Sequence, residues 1–178
     1  MKKTLLLLAL LAGFSSSCLA DALYLAVNNT PYDRQMTRIR PILTSGASGN
    51  GVSLGLVNQW MSDLRDIPYG FQKEWKTPSE VATRRPADCK GKAVALLNRM
   101  QAQGASNVRL VIGRRAPTSA KTHAWLEWQT KDGNYLLDPT FFYSASPTAS
   151  FGKRSYVPLY AYAGSKKFRA AGNLVAQN

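Results

Sequence analysis

Asp88-Cys89-Lys90-Gly91-Lys92-Ala93-Val94-Ala95-Leu96-Leu97, continuing to Met100 and Gly104, and then His123-Ala124-Trp125-Leu126-Glu127-Trp128-Gln129, form the stretch that decides the fold. In its first part Cys89, Ala93, Leu96, Leu97 and Met100 recur at three and four residues, the period of one helix face. Asp88 is placed to cap that helix, and Gly104 to close it in a left-handed C′ position. A helix of about fifteen residues follows, with Cys89 at its first position on the buried side. In the second part the period falls to two. Val108 to Ile112 reads as a strand. His123 to Gln129 alternates, with His123, Trp125 and Glu127 on one face and Ala124, Leu126 and Trp128 on the other. Asp132-Gly133 turns the chain, and Tyr135 to Asp138 returns before Pro139. Helices come first and an antiparallel sheet second, which defines an α+β domain.

Working outward, Val52, Leu56, Val57, Trp60, Met61 and Leu64 give a second amphipathic helix, ended by the turn Ile67-Pro68-Tyr69-Gly70. Thr77-Pro78-Ser79-Glu80 combines an N-cap Thr, an N1 Pro and an N3 Glu, the signature of a capping box. Its helix must be short, because Pro86 stops it within two turns. Leu23 to Val27 suits a short strand, Thr44 to Gly51 a loop, and Tyr156 to Tyr162 aromatic strand structure. The expected division is 1–20 as a leader, 21–50 as an extension and loop, 51–164 as the main domain, and 165–178 as a basic polar tail.

Lys2 and Lys3, the apolar run Leu5 to Phe14 and the small residues that follow have the shape of an export signal. The run is shorter than the roughly 20 apolar residues that span a bilayer. Cleavage after Ala20 is expected, with Ala22 nearly as good a site, which implies a periplasmic or secreted protein. The alternative is lipidation of Cys18, which would anchor the protein to a membrane. Cleavage removes Lys2 and Lys3 and lowers the net charge from +13 to +11. It also leaves one cysteine, Cys89, and one histidine, His123. Two Cys and one His in the whole chain exclude a four-ligand Cys/His zinc site. Nucleic-acid binding is not expected, since no recognition motif accompanies the charge.

A lone thiol in an oxidising compartment invites a chemical reading. A helix N-terminus offers partial positive charge and free N–H groups, which favour a thiolate, and Lys90 and Lys92 add charge nearby. Such a nucleophile needs a base, and the base an orienting group. His123 opens one strand and Asp138 closes the next. A four-residue turn from Thr130 to Gly133 sets Asp138 opposite Trp125 and makes His123 its diagonal neighbour, about 7–8 Å away. A two-residue turn keeps the face but separates the pair by two residues more. A three-residue loop flips the face and breaks the pair.

Val57-Asn58, Ile67-Pro68-Tyr69, Trp75-x-Thr77-Pro78-x-Glu80, Asp88-Cys89, His123-Ala124, Leu137-Asp138 and Tyr156-Val157-Pro158-Leu159-Tyr160 together resemble the bacterial transglutaminase-like cysteine peptidases, a branch of the papain and transglutaminase superfamily. The resemblance implies a papain/transglutaminase-like core and amide-bond cleavage, with Cys89 as nucleophile, His123 as base and Asp138 as orienter. A second oxyanion donor beside the Cys89 N–H is sought among Trp60, Gln72 and Trp75. Periplasmic relatives that cleave adhesins bind calcium through acidic residues after the Asp-Cys pair. Here Lys90 and Gly91 stand in those places and Ala87 replaces a usual Gly, so neither a metal nor any other cofactor is expected. The expected partner is a protein or peptide substrate. Arg84, Arg85, Lys90, Lys92, Arg114, Arg115 and Lys121 would match an acidic peptide or an anionic envelope polymer. The alternative function is a partner-binding module of the same fold with little catalysis.

Overall fold

The computed structural model describes residues 23–49, 51–83, 85–152 and 154–171. The expected export signal, Cys18, Arg84 and the last part of the basic tail lie outside the described residues. Four helices, α1 (Arg40–Thr44), α2 (Leu54–Arg65), α3 (Pro78–Ala82) and α4 (Cys89–Ala102), precede most of the sheet. The strands are β1 (Tyr24–Ala26), β2 (Val108–Arg114), β3 (His123–Thr130), β4 (Gly133–Leu137), β5 (Ser146–Pro147), β6 (Val157–Ala163) and β7 (Lys166–Ala170). They form one antiparallel sheet in the order β1-β7-β6-β2-β3-β4-β5. The fold is α+β, as the change of period predicts.

The helix boundaries follow their caps. Ser53 accepts from Leu56 N–H at the head of α2. Thr77 and Glu80 form the reciprocal capping box on α3, and Asp88 accepts from Gly91 N–H at the head of α4. Gly104, at φ 88°, takes the left-handed position after α4. A Cβ there would stand 2.6 Å from the Gly49 carbonyl oxygen, so the close approach of two loops also requires glycine.

The core lies between the helices and one sheet face. Val57, Met61 and Leu64 of α2 and Ala93, Leu96, Leu97 and Met100 of α4 pack with Leu110, Ala124, Leu126 and Leu137. The opposite face carries a smaller aromatic cluster of Val111, Trp125, Leu136, Tyr156 and Ala161. Two segments expected outside the main domain belong to this sheet. Lys166 to Ala170, expected as part of the polar tail, sets Lys167 and Arg169, both half-buried, on one face and Phe168 and Ala170 on the other, and pairs with both β6 and β1. β1, expected within the extension, is thereby the sheet edge. Among the described residues no helix is long and apolar enough to cross a membrane.

Candidate active site

The strand register brings the two halves of the site together. In the β3–β4 hairpin Leu126 pairs with Leu137 and Thr130 with Gly133, so Asp138 falls opposite Trp125. This is the four-residue turn of the three alternatives, with Gly133 at φ 139°. His123 Nε2 lies 2.7 Å from Asp138 Oδ2. Asp138 is fully buried and His123 is 9% exposed. The other carboxylate oxygen, Oδ1, accepts from Thr140 N–H at 3.0 Å, and the Asp138 carbonyl accepts from the N–H groups of Phe141 and Phe142. The Asp-Pro-Thr turn thus fixes the carboxylate through its own backbone.

Cys89 stands at the first turn of α4, 8% exposed, and is one of the groups that raise the basicity of the His123 ring. Since Asp138 takes Nε2, Nδ1 is the nitrogen left for the thiol. Burial alone would lower the basicity of His123. The hydrogen bonds and charges of Asp138 and Cys89 outweigh it and push the imidazole up to about 9. The ring is therefore protonated at neutral pH, in the place where a thiolate would need a counter-charge.

The head of α4 is tied to the segment before it. Tyr69 and Ala87 form a parallel bridge, with Ala87 N–H donating to the Pro68 carbonyl and Gly70 N–H to the Ala87 carbonyl. Asp88 is buried and accepts from the Gln72 N–H at 3.2 Å, while Lys90 is ion-paired with Asp88 and donates to the Gln72 carbonyl at 2.9 Å. Of the three oxyanion candidates, Gln72 is thus the one anchored at the helix N-terminus. Trp75 is 1% exposed, and its indole N–H has no acceptor in the structure. Trp60 is half-buried on α2 and packs against the main core.

The cationic cluster read from the sequence separates into different roles. Lys92 is 1% exposed and donates to the carbonyls of Ile67 and Arg65, closing the end of α2. Burial, helped by the Arg65 charge, lowers its basicity. Arg85, Arg114, Arg115 and Lys121 are exposed. Arg115 lies over the Phe141 ring at 3.6 Å, and Phe141 tilts against His123 at 5.3 Å. Phe71, Tyr69, Phe141 and Tyr143 are large exposed apolar groups of the segments that flank the site.

Sequence reasoning did not single out Tyr156 as a site residue. It lies just before β6 and donates its hydroxyl to Asp138 Oδ2 at 2.7 Å. Burial and the Asp138 charge raise its phenol far above the ordinary value. Its place in the Tyr-Val-Pro-Leu-Tyr segment was the one available signal.

No family model matches the sequence, and no curated protein matches it either. Solved structures do. LapG of Legionella pneumophila, treated with EGTA, superimposes with a TM-score of 0.55 at 13% identity, covering 82% of this chain and 81% of that one. Its calcium-bound form gives 0.54 at 13%, covering 81% and 82%. A third LapG structure gives 0.54 at 12%, covering 84% and 86%. The likeness shows a shared transglutaminase-like fold.

One expectation is corrected by these matches. The substitution of Lys90 and Gly91 for acidic residues led us to expect no cofactor, yet one matching structure is calcium-bound. Calcium is thus a ligand that this fold takes in another protein, and its absence does not follow from two positions. Among the described residues no group of three or more His, Cys, Asp and Glu side chains is gathered to hold a metal ion.

Proposed function

We propose that this chain is an exported transglutaminase-like cysteine peptidase or amidase. The observation that carries the proposal is the buried His123–Asp138 pair, 2.7 Å apart, with Cys89 at the N-terminus of α4 among the groups that raise the ring's basicity. The fold shared with LapG supports it. The Cys89 thiolate attacks the amide carbonyl carbon, and a C–S bond forms as the carbonyl electrons move to oxygen. The Cys89 N–H faces the developing oxyanion, and Gln72 is the side-chain candidate for a second donor. The imidazolium gives its proton to the leaving nitrogen as the C–N bond breaks, leaving a thioester and an amine. Water then attacks the thioester, with His123 taking its proton, and the C–S bond breaks to release a carboxylic acid and restore the Cys89 thiolate beside the imidazolium. Asp138 orients the ring throughout and stays ionised.

The substrate proposed is a protein or peptide, with an acidic peptide or an anionic envelope polymer matched to the exposed Arg85, Arg114, Arg115 and Lys121. The test pairs peptide cleavage with thiol labelling, each run in EGTA and in added calcium, since a matching structure is calcium-bound. Cys89→Ala should abolish cleavage while keeping the fold. Iodoacetamide should alkylate Cys89 faster than free cysteine near neutral pH. Labelling no faster than free cysteine under both conditions refutes the activated thiol. Full cellular function of Cys89→Ala would instead support a partner-binding module.

A further inference from the structure

Tyr156 reaches Asp138 at a conformational cost. It has φ +52°, a left-handed backbone that side-chain-bearing residues rarely adopt. Three features hold it there. Its N–H donates to the Arg115 carbonyl at 2.9 Å. The adjoining β2–β6 pairing shifts register between Ile112 and Gly113. Its ring is fixed edge-on against Trp125 at 5.2 Å and Phe151 at 5.1 Å. Ring packing alone would not aim the hydroxyl at a carboxylate already bound by an imidazole. Both donors, Tyr156 O–H and His123 Nε2, converge on the same oxygen at 2.7 Å. Arg115, exposed above Phe141, also lies over the Tyr156 ring at 5.8 Å and brings a cation to the same phenol.

We propose that Tyr156 is a positioning residue of this site: its hydroxyl fixes Asp138 Oδ2 and shares that oxygen with His123, so the carboxylate orients the ring without taking its proton. This rests on the Cys89–His123–Asp138 reading above, but it is tested on the ring itself. A phenol dipole whose positive end faces the same oxygen opposes the imidazolium. The charged and titratable groups facing His123 are Cys89 from α4, Asp138 after β4, Tyr156 before β6 and Arg115 through Phe141. Lys92 acts on Asp138, and Tyr69 is coupled to Cys89.

The chain has one histidine, so without a polyhistidine tag the His123 Cε1 resonance is unambiguous. In Tyr156→Phe its titration midpoint should rise by about half a pH unit, and the alkaline limb of Cys89 alkylation should rise with it. Asp138→Asn should move the midpoint the other way. An unchanged midpoint and alkylation profile in a folded Tyr156→Phe overturns the proposal, even if stability falls. Should Tyr156→Phe fail to fold, the Tyr156 ring carbon resonance of the unaltered chain is followed instead. It should shift with the His123 midpoint, and a flat response overturns the proposal. These readouts do not depend on any peptide being cleaved. Loss of cleavage activity as a whole, with the resonance behaving as stated, would sink the peptidase reading and leave this one standing.

Discussion

Replacing Asp138 with Asn removes one negative charge from the buried side of the His123 ring and changes the side-chain shape very little. In the folded protein the imidazole is pushed up from 6.5 to about 9 by the Asp138 and Cys89 bonds and charges, against the effect of burial. Such a rise corresponds to about 3 kcal/mol of preference for the protonated ring. That contribution is fully present below pH 6.5, where the unfolded chain also holds its proton, and is lost as pH climbs through about 9. In Asp138→Asn only Cys89 is left to oppose burial, so the midpoint of the ring should fall. The amide creates a second, pH-independent penalty. If its oxygen serves His123 and Tyr156, its NH2 meets the Thr140 N–H, donor against donor; if flipped, it faces His123 with the wrong group. One stranded donor costs about 1–3 kcal/mol. The loss of stability should therefore be larger at pH 6 than at pH 9.5, by at most about 3 kcal/mol. Urea unfolding at the two pH values, with the single-histidine resonance titrated in parallel, measures both parts. A loss of stability equal at both pH values, or an unmoved His123 midpoint, would refute the charge argument.

Other expectations follow from packing. A Cβ on Gly113 would stand 2.3 Å from the Val157 carbonyl oxygen and 2.5 Å from the Trp125 ring. Gly113→Ala should thus cost about 1–3 kcal/mol by overpacking. Because Trp125 stacks on His123 at 6.2 Å, it should also broaden or shift the His123 resonance, and a variant neutral in urea unfolding contradicts the close approach. Lys92→Ala leaves the Ile67 and Arg65 carbonyls without their shared donor and opens a cavity, at about 3 kcal/mol. Its unfolding midpoint should drop, while a surface role for Lys92 would leave it unchanged. Thr77→Ala removes the α3 cap, at about 1 kcal/mol by the same assay, and rescue by Ser would confirm the hydroxyl as the cause.

What the sequence made legible, and what it did not, divides along one physical line: local chemistry against approach between distant segments. The head of α4 was legible because Asp88 caps it within three residues, which sets Cys89 at the helix N-terminus. The His123–Asp138 pair was legible up to the hairpin turn, since a period of two places both side chains on one face once the register is fixed. Lys92 was misplaced among surface cations because its partners, the Ile67 and Arg65 carbonyls, come from a turn 25 and 27 residues away. The basic tail became β7 because Phe168 packs on the aromatic cluster, Ala170 is buried and Lys167 finds its partner in Asp33, 134 residues away. Tyr156 was hidden most completely. Its contact with Asp138 depends on a left-handed residue, a register shift and a bare Gly113 acting together. None of the three leaves a periodic trace. The aromatic cluster on the far face of the sheet, which would otherwise read as a second small core, is thereby a support for the site: it holds the ring of Tyr156 under Asp138 and Trp125 against His123. Stability of that cluster and the titration of His123 should therefore fall or move together in any variant that loosens it, and independently in variants confined to the main core.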